Sequence, residues 1–176
     1  MITEIMVKQA RAGDKRAFQM LYEAIYKDMY RFAYYILQNK EDAEDAVSEA
    51  VFDMYKGIAG LKKYDAFKSW AFKILSVKCK LKQREYVIKH QQEIYDISEL
   101  NYPSEHDVEG QVVLKADVMK AFKTLDDEEQ IIVVCSAVAG MSSDEVGNIT
   151  GLKSATVRTK LRRALTKLKG RLEVGV

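Results

Sequence analysis

The stretch Gly140-Met-Ser-Ser-Asp-Glu-Val-Gly-Asn-Ile-Thr-Gly-Leu-Lys-Ser-Ala-Thr-Val-Arg-Thr-Lys-Leu161 decides how this chain is read. Ser142 and Glu145 stand three residues apart, the spacing of a capping box, so a helix begins there. That helix is short, because Gly151 follows Thr150 and can take the positive φ of a tight turn. A second helix is predicted from Ser154 to about Lys169, with Val157, Leu161, Ala164, Leu165 and Leu168 on one side. Gly147 falls where the two helices must approach closely, which requires a small residue. Short helix, glycine turn and longer basic helix make a helix-turn-helix. In that motif the second helix enters the major groove with its N-terminal residues at the base edges. Those residues here are Lys153, Ser154, Ala155, Arg158, Thr159 and Arg162. Arg158 and Arg162 lie one turn apart, and either can bond a guanine bidentately; Ala155 can touch a thymine methyl. Arg163, Lys167 and Lys169 suit phosphates, which position but do not specify. The bland alternative, a hairpin with a solvated basic face, has capping, turn and charge against it.

Upstream, periodicity predicts more helices. Ile2 to Ala12 reads as a short helix stopped at Gly13, and Asp14 as the N-cap of a long one. Its apolar stripe is Phe18, Leu21, Tyr22, Ile25, Met29, Phe32, Ala33 and Ile36. Asn39 can cap a third helix that buries Ala43, Ala46, Val47, Ala50, Val51 and Met54 and ends at Gly57 or Gly60. A fourth starts at Phe67 with Trp70, Ala71, Ile74, Leu75 and Val77, and runs to about His90. Residues 91–111 are acidic, hold the only proline, Pro103, and lack periodicity, so they read as a linker. Periodicity resumes at Val112 with Val113, Ala116, Val118, Met119 and Phe122, and a further helix is expected from Asp127 to Ala139. The fold class is all-α: a helical domain over 1–90, an acidic linker over 91–111, and a helix-turn-helix domain over 112–176.

Charge falls in blocks, although the net charge is only +2. Lys62 to Lys89 holds nine Lys/Arg against two acids, and Lys153 to Arg171 holds eight and none. Glu41 to Asp53 and Gln91 to Leu114 each hold six acids and no Lys/Arg. Alternating blocks imply different partners for different segments, against the plain alternative of solvated helix faces. Cys79 and Cys135 are far apart, which fits reduced core thiols better than a disulfide framework. No signal run opens the sequence and no eighteen apolar residues stand together, so a soluble, cytoplasmic chain without membrane insertion is expected. His90 and His106 are the only histidines, and no nucleophile–base pair, phosphate loop or metal spacing occurs. No enzyme activity, cofactor or metal is therefore expected; acids without His or Cys would hold at most a weak hard cation.

Read together, the two halves resemble the extracytoplasmic-function sigma factors. Ala43-Glu-Asp-Ala-Val-Ser-Glu-Ala-Val-Phe-Asp-Met-Tyr55 is similar to the family's polymerase-binding helix, and Phe67-Lys-Ser-Trp-Ala-Phe-Lys-Ile-Leu75 to its promoter-melting segment. Ala12-Gly-Asp, Ala17-Phe and Leu21-Tyr resemble the opening of the same domain, and Thr124-Leu-Asp-Asp-Glu-Glu-Gln through Leu168 resembles region four.

The resemblance implies that RNA polymerase core docks on Glu44, Asp45, Ser48, Glu49, Phe52 and Asp53. It implies that the minus-ten element of promoter DNA is handled by Lys63, Tyr64, Phe67, Lys68, Lys73 and Lys78. Lysines there would bind phosphates and Tyr64 and Phe67 would hold unstacked bases, with Trp70 expected in the core. The helix-turn-helix would read the minus-thirty-five element, and the linker would thread the polymerase cleft. An anti-sigma factor is a common partner in the family. The sequence departs from the pattern in a shorter loop at Tyr64-Asp65-Ala66-Phe67 and in Leu75-Ser-Val-Lys-Cys, where the family has an Arg-Asn pair. The rival reading is a stand-alone helix-turn-helix regulator with a helical sensing or dimerisation domain.

Overall fold

The computed structural model describes residues 2–92 and 117–173, and every regular element among them is helical. α1 (Glu4–Arg11) opens at Thr3, whose Oγ1 accepts the Met6 N–H at 3.3 Å. α2 (Lys15–Leu37) is capped by Asp14, whose carboxylate accepts the N–H groups of Arg16 and Ala17. Its whole expected stripe is buried except Tyr22, which is half-buried. α3 (Lys40–Gly57) is capped by Asn39 and carries Glu41 and Asp42 in its first turn, where the helix dipole favours acids. A 3₁₀ turn (Ile58–Gly60) follows, then α4 (Phe67–Gln92).

Residues 117–122 are helical and lead to α5 (Asp127–Val133), opened by a capping box between Asp126 and Glu129. The single α-helix expected over Asp127 to Ala139 is not what forms. From Val134 to Val138 the chain widens into a π turn, with Ala139 N–H donating to Val134 O at 3.1 Å. Five residues of π turn leave no mark on apolar periodicity, so the sequence does not announce it. α6 (Ser143–Thr150) and α7 (Ser154–Glu173) complete the chain.

Three residues assigned to apolar faces are instead exposed, Val77, Val118 and Leu165. Val77 lies two positions, about 200° of helix, beyond the buried Leu75, and Leu165 one position beyond the buried Ala164. The expected linker and the stripe residues Val112, Val113 and Ala116 lie outside the described residues.

α1 to α4 pack around Leu21, Met29, Phe32, Met54 and Phe72, with the Phe32 and Phe72 rings edge to face at 5.6 Å. α5, α6 and α7 close on Ile132, Val146 and Val157. The two helical domains touch. α4 lies against α6, α2 lies against the π turn, and the Tyr35 and Phe122 rings meet at 6.4 Å.

Candidate nucleic-acid and polymerase-docking surfaces

The capping box at α6 is complete: Ser142 Oγ accepts the Glu145 N–H at 3.3 Å, and Glu145 Oε2 accepts the Ser142 N–H at 2.8 Å. Gly151 takes φ 81° and its N–H donates to Gly147 O at 2.8 Å. A Cβ on Gly147 would stand 2.6 Å from the Leu152 carbonyl oxygen, so the tight turn excludes any side chain there. Val157 and Ala164 fix α7 by its buried side. The opposite side leaves Lys153, Ala155, Arg158, Thr159, Arg162 and Arg163 exposed, with Ser154 half-buried at the helix start. Thr159 Oγ1 is already donating to Ala155 O at 3.0 Å.

Two other α7 lysines are committed inward. Lys167, expected at a phosphate, donates to both oxygens of Glu129, at 2.6 and 2.8 Å. Glu129 is buried and also accepts the Asp126 N–H at 3.2 Å, so one carboxylate closes the α5 cap and holds α7. Lys160 pairs with Glu128, whose hydrogen bond raises the ammonium's pKa above its ordinary value. Sequence reading missed both pairs, although the acidic run Asp126-Asp-Glu-Glu129 opposite a basic helix was their signal.

On α3, Glu44, Asp45, Ser48, Glu49 and Phe52 are exposed and Asp53 is half-buried. Phe52 is 59% exposed, and Lys56 Nζ sits 4.0 Å from its ring centroid. The acids are not merely a solvated face, because α4 answers them. Lys78 pairs with Asp53 at 2.8 Å and with Glu49 at 3.5 Å; Lys82 pairs with Asp45 at 3.5 Å and Glu49 at 3.9 Å. The hydrogen bond that Lys78 donates to Asp53 is the largest cause raising the Lys78 pKa. Each carboxylate keeps an outer side in solvent, so the row remains available to a basic partner.

The minus-ten candidates divide. Lys63, Tyr64 and Lys73 are exposed. Phe67 is 0% exposed, its ring 6.2 Å from that of Trp70, so it is a core residue and offers no platform to a base. The aromatic side chain that opens α4 is drawn into the bundle by the same 3.6-residue spacing that buries Ala71 and Leu75. Trp70 packs half-buried against the core, as expected, its ring 3.2 Å from where a Gly57 Cβ would be. Lys68 is also turned inward: its Nζ donates to Ala139 O at 2.6 Å and lies 3.8 Å from Asp28. Lys78 is neutralised by α3, as described.

Cys79 and Cys135 are free and buried, and burial pushes both thiols up to about 12. Among the described residues no helix is long and apolar enough to cross a membrane, and no His/Cys/Asp/Glu group could hold a metal.

Residues 21–84 match the Sigma-70 region 2 family and residues 115–168 match Sigma-70, region 4. The chain is 30% identical to the ECF RNA polymerase sigma factor SigM of Mycobacterium tuberculosis, over 94% of this chain and 83% of that one. It is 25% identical to SigW of Bacillus subtilis, over 98% and 97% of the two chains. Its fold is that of CnrH, solved in complex with the cytosolic domain of CnrY: TM-score 0.74 at 21% identity, covering 98% of this chain and 97% of CnrH. A stand-alone regulator accounts for the helix-turn-helix but not for region 2 upstream of it. Both regions occur here in order, and a relative at 30% identity is matched over 83% of its length; the chain belongs to the extracytoplasmic-function sigma factors, the alternative sigma factors of transcription initiation.

Proposed function

We propose that this sigma factor binds polymerase core through the outer side of α3 and reads the upstream promoter element with the outer side of α7. Residues 1–90 would form the core- and minus-ten-binding domain, 91–111 the connector, and 112–176 the minus-thirty-five domain. Glu44, Asp45, Ser48, Glu49, Phe52 and Asp53 would dock the polymerase. Lys153, Ser154, Ala155, Arg158, Thr159, Arg162 and Arg163 would meet the upstream duplex. Lys63, Tyr64 and Lys73 would serve the minus-ten element, the role of Phe67, Lys68 and Lys78 there being taken by packing and internal pairing. The observation that carries this reading is the presence in one chain of an exposed acidic row with an aromatic at its end and a helix-turn-helix whose polar face is uncovered.

The protein would act in the cytoplasm, with polymerase, and without catalysis of its own. An anti-sigma factor is a fitting partner: RpoE of Bartonella quintana, which shares the fold at TM-score 0.67, was solved with the anti-sigma factor NepR.

Transcription by core polymerase plus this chain on genomic fragments tests the assignment. Specific starts sharing one upstream element are expected, and core alone should give none. Arg158→Ala or Arg162→Ala should cost about 1–3 kcal/mol at that element and relax its sequence preference. An equal loss across all sequences would reassign that arginine to phosphate binding.

A further inference from the structure

A surface helix ordinarily carries one apolar stripe, and α4 carries two. The inner one, Phe67, Ala71, Phe72, Leu75 and Cys79, is buried in the bundle. The second runs along the outer side of the helix. Trp70, Ile74, Val77 and Leu81 follow one another at steps of four, three and four, which keeps them on one side for about 16 Å. Trp70 and Ile74 are half-buried against the core, whereas Val77 is 50% and Leu81 47% exposed. Val77 belongs to Leu75-Ser-Val-Lys-Cys79, the stretch in which the sequence departs from the family pattern. The two borders of this seam differ in charge. Lys73, Lys80 and Arg84 lie along one; they are exposed and make no ion pair with the described residues. Along the other, Lys78 and Lys82 are matched by Asp45, Glu49 and Asp53 of α3, and Glu85 is exposed.

We infer that the outer seam of α4 is a docking surface for an amphipathic helix of a partner protein. That helix is apolar at the same alternating steps of three and four, the spacing at which two helices interleave side chains along a seam. It carries acids along the flank that meets Lys73, Lys80 and Arg84. A DNA duplex would use those cations but leave the apolar seam in water, and its phosphates would meet the α3 carboxylates at the far border. An anionic lipid surface meets the same repulsion. The inference goes beyond the polymerase and promoter surfaces proposed above and does not rest on them; Lys73 alone is shared with the minus-ten set.

The test uses the full chain and a three-heptad peptide with leucine at the core positions, glutamate along one flank and glutamine along the other. The comparison probes are that peptide scrambled, that peptide with lysine in place of glutamate, a DNA duplex, and phosphatidylcholine vesicles containing phosphatidylserine. Trp70 is the single tryptophan of the chain, so its emission reports events at the seam. A saturable blue shift is expected with the acidic peptide and none with the scrambled or lysine peptide. Val77→Ser with Leu81→Ser should weaken binding about tenfold or more. Lys80→Glu with Arg84→Glu should lose the acidic peptide and gain the lysine one. All four positions are exposed, so helical content should hold in both variants. Core polymerase binding, measured in parallel, should stay at the wild-type level; its loss in the serine variant would give the seam to polymerase and overturn a separate partner. Equal binding of the scrambled peptide, or wild-type affinity in the serine variant, would overturn the seam. A Trp70 response to the duplex or the vesicles alone would overturn the partner helix. So would self-association that the serine variant abolishes, or peptide binding that emerges only when the acids of residues 93–109 become serine, since each names another occupant.

Discussion

The ammonium of Lys68, in the first turn of α4, donates to the carbonyl of Ala139 at 2.6 Å and so ties the two helical domains together at the end of the π turn. Asp28 of α2 stands 3.8 Å from the same nitrogen, and Cys135, inside the π turn, is near enough to feel its charge. A hydrogen bond from a charged donor contributes about 1.5–3 kcal/mol. Lys68→Met removes it while keeping the apolar stem. The domains should then separate about tenfold more readily or beyond, and the Cys135 thiol should label correspondingly faster with a neutral alkylating reagent. Labelling at the wild-type rate would mean that packing of α4 on α6 alone holds the closed form.

Gly147→Ala should be far more costly than an ordinary glycine-to-alanine change in a helix. The added methyl would meet backbone, the Leu152 carbonyl 2.6 Å away, which cannot rotate aside. Moving the turn costs about 1–3 kcal/mol and tilts α7 away from its angle on α6. Thermal unfolding and duplex binding should both suffer; a variant with wild-type melting would contradict the close approach.

Lys167→Ala tests a lysine that stabilises the motif without touching DNA. It leaves the buried Glu129 carboxylate with only the α5 cap to satisfy it, for a loss of about 1–3 kcal/mol. Glu129→Gln in the same background should recover much of that loss, since the uncompensated charge is gone. If Lys167 chiefly bound a phosphate, the substitution would flatten the salt dependence of DNA binding and leave the melting temperature unchanged.

Stability should fall at high pH through the two thiols. Burial raises each from its ordinary value of 9.0 to about 12, so the folded state prefers the protonated form. A raised folded pKa gives a contribution that is complete below pH 9.0 and is lost as pH climbs towards about 12. Denaturant midpoints of Cys79→Ala and Cys135→Ala should decline less over that window than wild type. Equal declines would place the sensitivity in other groups.

Much of this was legible in the sequence, for identifiable reasons. Caps are local chemistry, so Asp14, Asn39, Ser142 and Glu145 declared their helices, and Gly151 declared its turn. The α2 stripe followed from spacing alone. What escaped is what depends on another segment. Phe67 looked like a loop aromatic until the bundle closed over it, and Lys68 and Lys78 looked like free cations until Ala139, Asp53 and Glu49 met them. Lys167 was misread for the same cause, because Glu129 is thirty-eight positions away in sequence.

The most direct test of the whole account is co-elution of the purified chain with bacterial RNA polymerase core stripped of its own sigma. A stoichiometric complex is expected, lost when Glu44, Asp45 and Glu49 are changed to lysine while helical content stays intact. A chain that passes core by, and runs instead as a dimer binding duplex DNA alone, would contradict it.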